Sequence, residues 1–211
     1  MKSINYLFAA IIVPLAISCN SNESATDNTE AAEAHTEHTM DTAKSPFSVM
    51  MDKSMQDMMQ MKMTNDPDHD FASMMKMHHQ SAVEMAQHVL QNGQDTMIKG
   101  MAQTMITKQQ QEMEEFDQFL SFHQPSANKQ DASKDLMKAM HNHMDPAEPL
   151  NNNADHDFVA MMIPHHKSAV EMSESILKSG KEKAIKTMAT KIIADQKKEI
   201  DQLQNWLSNH K

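Results

Sequence analysis

An offset of 155 − 68 = 87 residues lays the segment from Asp68 to His123 onto the segment from Asp155 to His210 without a gap, and 25 of the 56 paired positions are identical. Each copy opens with D-H-D-F and continues through M-M, H-H and A-V-E-M. A duplicated unit has to bury the same face twice, so this repeat limits the fold more than any single motif does.

Each copy reads as a helical hairpin. Asp70 and Asp157 are N-cap candidates ahead of periodic segments. The first helix is expected to run to about Asn92 or Ser179, where Gly93 and Gly180 suit a left-handed cap. The second should reach about Ser121 and Ser208, with Pro125 beyond the first of these. The inner stripe of the first helix is Phe71, Met75, His78, Ala82, Met85 and Val89, matched by Phe158, Met162, His165, Ala169, Met172 and Ile176. The second helix contributes Ile98, Ala102, Met105, Gln109, Glu112, Phe116 and Phe119, matched by Ile185, Ala189, Ile192, Gln196, Glu199, Leu203 and Trp206. Such spacing predicts an all-α four-helix bundle made of two hairpins.

The stripes are apolar except in one band. Counting outward from Gly93 sets His78 level with Gln109 and Met75 level with Glu112; from Gly180 it sets His165 with Gln196 and Met162 with Glu199. Polar groups in such a seam are costly unless they pair with each other or with a metal. Pro164 precedes His165 where the first copy has Met77, and a proline inside a helix is expected to kink it and re-aim the second His pair. Glu84 and Glu171 fall off the stripe and read as solvated or as salt-bridge partners.

The chain holds 24 Met and 13 His against 1 Cys, 1 Trp and 1 Tyr, so thioether and imidazole dominate its donor chemistry. Met74 with His78, Met75 with His79 and Met161 with His165 lie four apart and project together from one helix. Thioether sulfur selects Cu(I) or Ag(I), and imidazole accepts copper in either oxidation state. The alternative is that His78 and His165 are core histidines bonded to Gln109 and Gln196, with Met as flexible packing. Short Met-rich helices are expected before each hairpin, from Met50, Met51, Met55, Met58, Met59, Met61 and Met63 and from Met137, Met140, His141, His143 and Met144. The first set points in several directions, so some thioethers should be exposed and available as secondary metal ligands. A net charge of −10 with no basic stripe argues against nucleic-acid binding.

Residues 1–18 read as a signal peptide of lipoprotein type. The apolar run from Tyr6 to Ile17 is short for a membrane span, and Ala16-Ile17-Ser18-Cys19 resembles a lipobox with Cys19 as the lipidated residue. Asn20 after the Cys favours the outer membrane by resemblance to lipoprotein sorting, facing the periplasm or the surface of a bacterial envelope. Residues 19–44 are expected to be a disordered acidic tether, in which His35, His38 and Met40 sit among carboxylates. Residues 45–211 then hold the two repeats, about 45–124 and 131–211.

The H-H-x-x-A-V-E-M run, Gln109-x-x-Glu112 with Gln196-x-x-Glu199, and Trp206-Leu207 together resemble the DUF305 family, over most of the chain from Met50 to Leu207. That resemblance implies a ferritin-like four-helix bundle of the bacterial envelope and, from the better-understood members, copper or silver binding through Met and His in support of metal resistance. It implies Met74, Met75, His78, His79 and Met85 as ligands, with Met161, Met162, His165, His166 and Met172 as their partners, and Gln109, Glu112, Gln196 and Glu199 behind them. The first copy reads M-M-K-M-H-H where the family commonly has M-M-I-P-H-H, as the second copy does.

The expected function is non-enzymatic: an envelope lipoprotein that binds copper, chiefly Cu(I), for buffering, resistance or delivery. Its expected partners are metal ions, a membrane reached only through the lipid anchor, and a second copy or a copper-handling protein. Two alternatives stand beside this. One is a structural bundle with Met-rich packing and no metal. The other is a ferritin-like metal oxidase, against which the hairpins lack the Glu-x-x-His motif of di-iron bundles.

Overall fold

The computed structural model describes residues 44–126 and 132–210; the lipobox and the tether up to residue 43, with its His35, His38 and Met40, lie outside the described residues. The described residues form six helices and no strand: α1 (Pro46–Gln60), α2 (Pro67–Asn92), α3 (Thr96–Phe122), α4 (Ala132–His141), α5 (Ala154–Ser179) and α6 (Lys183–Asn209). The protein is an all-α bundle. Among these helices none is long and apolar enough to cross a membrane.

The long helices begin one turn earlier than the expected caps. Asp66 caps α2, accepting from the N–H groups of Asp68 and His69 at 3.1 Å each, and Pro67 occupies the first turn, where a missing N–H costs nothing. Asn153 caps α5 in the same way, through Asp155 and His156. Asp70 and Asp157 are therefore not caps. They reach back from the first turn to hold the entry loops: Asp70 accepts from the Thr64 hydroxyl and the N–H groups of Thr64 and Asn65, and Asp157 from the Asn151 N–H and the Ser45 hydroxyl. Asn65 and Asn152 take φ of 64° and 65° in these loops, a left-handed conformation that asparagine tolerates.

The glycines also differ from expectation. Gly93 and Gly180 have φ of −75° and −70°, so neither is a left-handed cap. They are needed for space. Asp155, at the start of α5, accepts from the N–H groups of Gln94 and Asp95 at 2.7 and 3.1 Å, in the turn of the first hairpin. Asp68, at the start of α2, accepts from Lys181 and Glu182 in the turn of the second. A Cβ on Gly93 would lie 2.3 Å from the Asp155 carboxylate, and one on Gly180 2.7 Å from that of Asp68. Each hairpin thus clamps the other's turn.

This exchange sets α2 antiparallel to α5, because the start of each meets the end of the other. Reciprocal contacts, Asp68 and Asp155 on each other's turns and His78 against its counterpart His165, relate the two repeats by an approximate two-fold axis between the midpoints of α2 and α5. α2 packs on α3, α5 on α6, and the hairpins join across α2 and α5; α1 and α4 cover that junction from either side. The inner stripes are buried as the spacing predicts, with Phe119 half-buried.

The short helices form where expected, and their methionines divide between core and surface. Met51, Met55 and Met58 join Phe47 in a buried stripe on α1, and Met140 is buried on α4. Their spacing seats one face on the α2–α5 junction, so these four thioethers are core. Met50, Met61, Met63, Met137 and Met144 are half-buried, and Met59 is exposed.

Pro164 leaves the carbonyl of Ala160 without its helical donor, and the N–H of Ala147 in the segment before α5 takes that bond at 2.8 Å. The proline therefore docks a loop. Substituting Gly93→Ala or Gly180→Ala is expected to destabilise the protein by about 2 kcal/mol, as overpacked sites do, whereas the exposed Gly100→Ala, with nothing within 4 Å of its Cβ, should be neutral or stabilising. Urea unfolding followed by circular dichroism checks both.

Candidate metal centre

The two-fold axis makes self-equivalent residues meet. His78 and His165, partners under the 87-residue offset, lie with ring centroids 3.7 Å apart and an interplanar angle of 34°. Both are buried at the middle of the bundle, beside His79 and His166, which are fully buried. The expected pair of separate polar bands is thus one band of four imidazoles, contributed by both repeats. The two pairs are alike in internal geometry, with His78–His79 and His165–His166 centroid separations of 6.4 and 6.2 Å.

The partners also differ from the count about the glycines. Glu112 accepts from His79 Nε2 at 2.9 Å, and Glu199 from His166 Nε2 at 2.9 Å. Side chains on a helix lean toward its N-terminus. His79 therefore leans away from the turn and Glu112 leans toward it, so their tips meet although their Cα positions do not. Gln109 and Gln196 are buried with no protein hydrogen bond on either carboxamide atom, and so are not the partners of His78 and His165. Each carboxylate also takes a lysine from the opposite hairpin: Lys191 lies 3.3 Å from Glu112, and Lys108 lies 3.0 Å from Glu199. Burial pushes both carboxyls up, but the His bond and the lysine charge outweigh it and hold them below their ordinary value.

These bonds fix which nitrogen is free. Ser81 donates its hydroxyl proton to the His78 carbonyl at 2.8 Å, so its oxygen must accept from His165 Nε2, also at 2.8 Å. In the neutral ring the lone pair of His165 is then on Nδ1. The carboxylates fix Nε2–H on His79 and His166 in the same way. The Nδ1 atoms of all four imidazoles are buried without a protein partner. Burial first, and then the neighbouring imidazoles, hold His78 and His165 well below the ordinary 6.5, so both are neutral at neutral pH. Each unpartnered buried group costs about 1–3 kcal/mol. A carboxylate behind a histidine whose other nitrogen is free is the usual support for a metal-ligating imidazole.

Among the described residues no three of His, Cys, Asp and Glu are grouped to hold a metal ion. A metal at these nitrogens would draw its further ligands from thioether sulfur. Met74, Met75, Met85, Met161, Met162 and Met172 are all buried. They are sorted across repeats: Met74 and Met75 share a core cluster with Met172, and Met161 and Met162 share the other with Met85. Sequence reasoning grouped them by repeat and so missed this exchange.

His141 and His143 lie apart from the four imidazoles. His141 is exposed and bonds the Met137 carbonyl, while His143 lies 3.0 Å from Glu171, which also accepts from Asn142. Glu84 is exposed and accepts from Gln80. Ser81 was not singled out by the sequence, although its place on the H-H-x-S turn of α2, three residues after His78, was a signal for it.

A family model for the domain of unknown function DUF305 matches the chain twice, over residues 19–120 and 121–210. The chain belongs to the DUF305 family. CopM in its Cu(I)-bound form is similar, at 29% identity over 67% of this chain and 96% of CopM, with a TM-score of 0.52. CopM with silver soaked in matches at 28% identity, over 67% of this chain and 95% of CopM, with a TM-score of 0.53. A DUF305 protein from Streptomyces coelicolor shares the fold, at 20% identity, 70% and 95% coverage and a TM-score of 0.56. No curated protein matches the chain.

Because the folded His78 and His165 resist protonation, the unfolded chain binds more protons below about pH 6.5, and stability should fall as pH drops through that point. The depressed Glu112 and Glu199 add a further loss below their ordinary value of 4.5. Thermal melts of the metal-free protein from pH 7.5 to 5 should show the first decline, and His78→Leu with His165→Leu should remove most of it.

Proposed function

We propose that this DUF305 protein is a non-enzymatic envelope lipoprotein, anchored through Cys19, that binds copper as Cu(I) and accepts Ag(I), so as to buffer the metal or hand it on. The observation that carries this is the set of four buried imidazole nitrogens without protein partners, on the same two helices as six buried thioethers. Thioether donors favour a soft monovalent ion, and neutral imidazole completes a low-coordinate site without adding charge to a dry interior. The metal-bound forms of CopM support the choice of metal. His78, His79, His165 and His166 would supply nitrogen, and Met74, Met75, Met161 and Met162 sulfur. Glu112 and Glu199 orient His79 and His166. Since His78 and His165 stack on one axis, the repeats share one centre.

An anaerobic Cu(I) titration of the protein against a competing chromophoric chelator tests this. Replacing Met74, Met75, Met161 and Met162 with Leu conserves volume, so helicity should persist while Cu(I) affinity falls at least tenfold. Unchanged affinity and stoichiometry in that variant would overturn the assignment.

A further inference from the structure

The buried centre needs an entrance, and two clefts in related positions on the two repeats differ in chemistry. The first, about 440 Å³, lies between α1, α2 and α3 and is lined in part by Met77, Met113, Ser81 and Glu84. The second, about 420 Å³, lies between α5, α6 and the segment that follows α4 and is lined in part by Lys167, Glu171 and Ile200. The offset of 87 equates Met113 with Ile200 and Met77 with Pro164. The lining of the first cleft carries two thioethers, and that of the second carries none. Both Met77 and Met113 are half-buried, each lying against the core yet reachable from solvent.

Only the first cleft touches the centre. Ser81 forms part of its wall, and the Ser81 oxygen lies 2.8 Å from His165 Nε2, so one hydroxyl separates cleft from imidazole. Its counterpart Ser168 is bonded instead to the Met140 carbonyl. The cations on the wall are already paired, Lys53 with Asp57 and Lys76 with Asp117. Glu84, exposed at the same wall, adds negative charge.

We propose that this cleft is the loading port for a soft monovalent cation, with Met77 and Met113 as its transient ligands and Ser81 as the gate to the His78–His165 pair. Passage is ligand exchange at constant oxidation state: one thioether bond is lost as one bond to the unprotonated Nδ1 of an imidazole is gained, Nε2 of His165 keeping the proton it donates to Ser81. The inference rests on the copper-binding reading above and adds the route. It also gives a role to Met77, the position where the first copy departs from the second.

The test follows the transfer of Cu(I) from its coloured bicinchoninate complex to the full chain under anaerobic stopped flow. With Met77→Leu and Met113→Leu together, uptake should slow at least tenfold while the amount of Cu(I) held at equilibrium stays that of wild type. Met59→Leu, which removes an exposed thioether elsewhere, should leave the rate unchanged. An unaltered rate in the double variant, or an equal slowing by Met59→Leu, overturns the port. A loss of equilibrium Cu(I) at wild-type rate also overturns it, since these residues would then belong to the site itself. Absence of Cu(I) uptake by wild type would instead refute the copper-binding function.

Discussion

The reciprocal clamp of Asp68 and Asp155 on the turns of the opposite hairpins is the interaction on which the rest of the bundle depends. Each carboxylate satisfies two backbone N–H groups that begin a helix, where both the open donors and the helix dipole favour negative charge. Because each comes from the start of the other repeat's first helix, α2 and α5 are locked antiparallel and in register. A one-turn slip would leave both carboxylates and four donors without partners. The glycines hold this register by permitting the close approach of the carboxylates.

That register determines what the centre can be. An antiparallel crossing at the helix midpoints brings each His-His pair onto its own copy, so two imidazoles of one kind face each other at 3.7 Å in a dry interior. Two protonated rings could not persist there, which is why burial and mutual repulsion keep both neutral. Neutrality leaves lone pairs, and Ser81, Glu112 and Glu199 occupy Nε2 on three of the rings. The polar band is costly as an element of packing and well suited as a set of donors. Methionine suits the same place, since it fills an apolar core while keeping a soft donor.

Duplication followed by divergence explains the remaining asymmetry. Pro164 removes a helical N–H, and the freed Ala160 carbonyl holds the segment before α5 through Ala147. The first copy keeps Met77 at this position, and with Met113 it lines a cleft whose counterpart holds lysine, glutamate, valine and isoleucine but no thioether. The fold needs the two copies to be alike along α2 and α5. It leaves their outer faces free to differ.

The hairpins, their buried stripes and the ends of α2 and α5 were legible from the sequence, because helical periodicity and an 87-residue repeat are properties of neighbouring positions. The four histidines and six methionines were legible as candidates for the same reason. What faced them was not. Pairing His79 with Glu112 depends on the lean of side chains on two antiparallel helices, and stacking His78 on His165 depends on an axis that exists only once the hairpins dock. The set from Met50 to Met63 points in more directions than one face can bury, which was legible, but only the α2–α5 junction decides that Met51, Met55 and Met58 are core and Met59 is outside. Sequence by itself determined which residues share a helix face. The tertiary structure alone decided which faces meet, because that depends on a register set by two carboxylates far from the site.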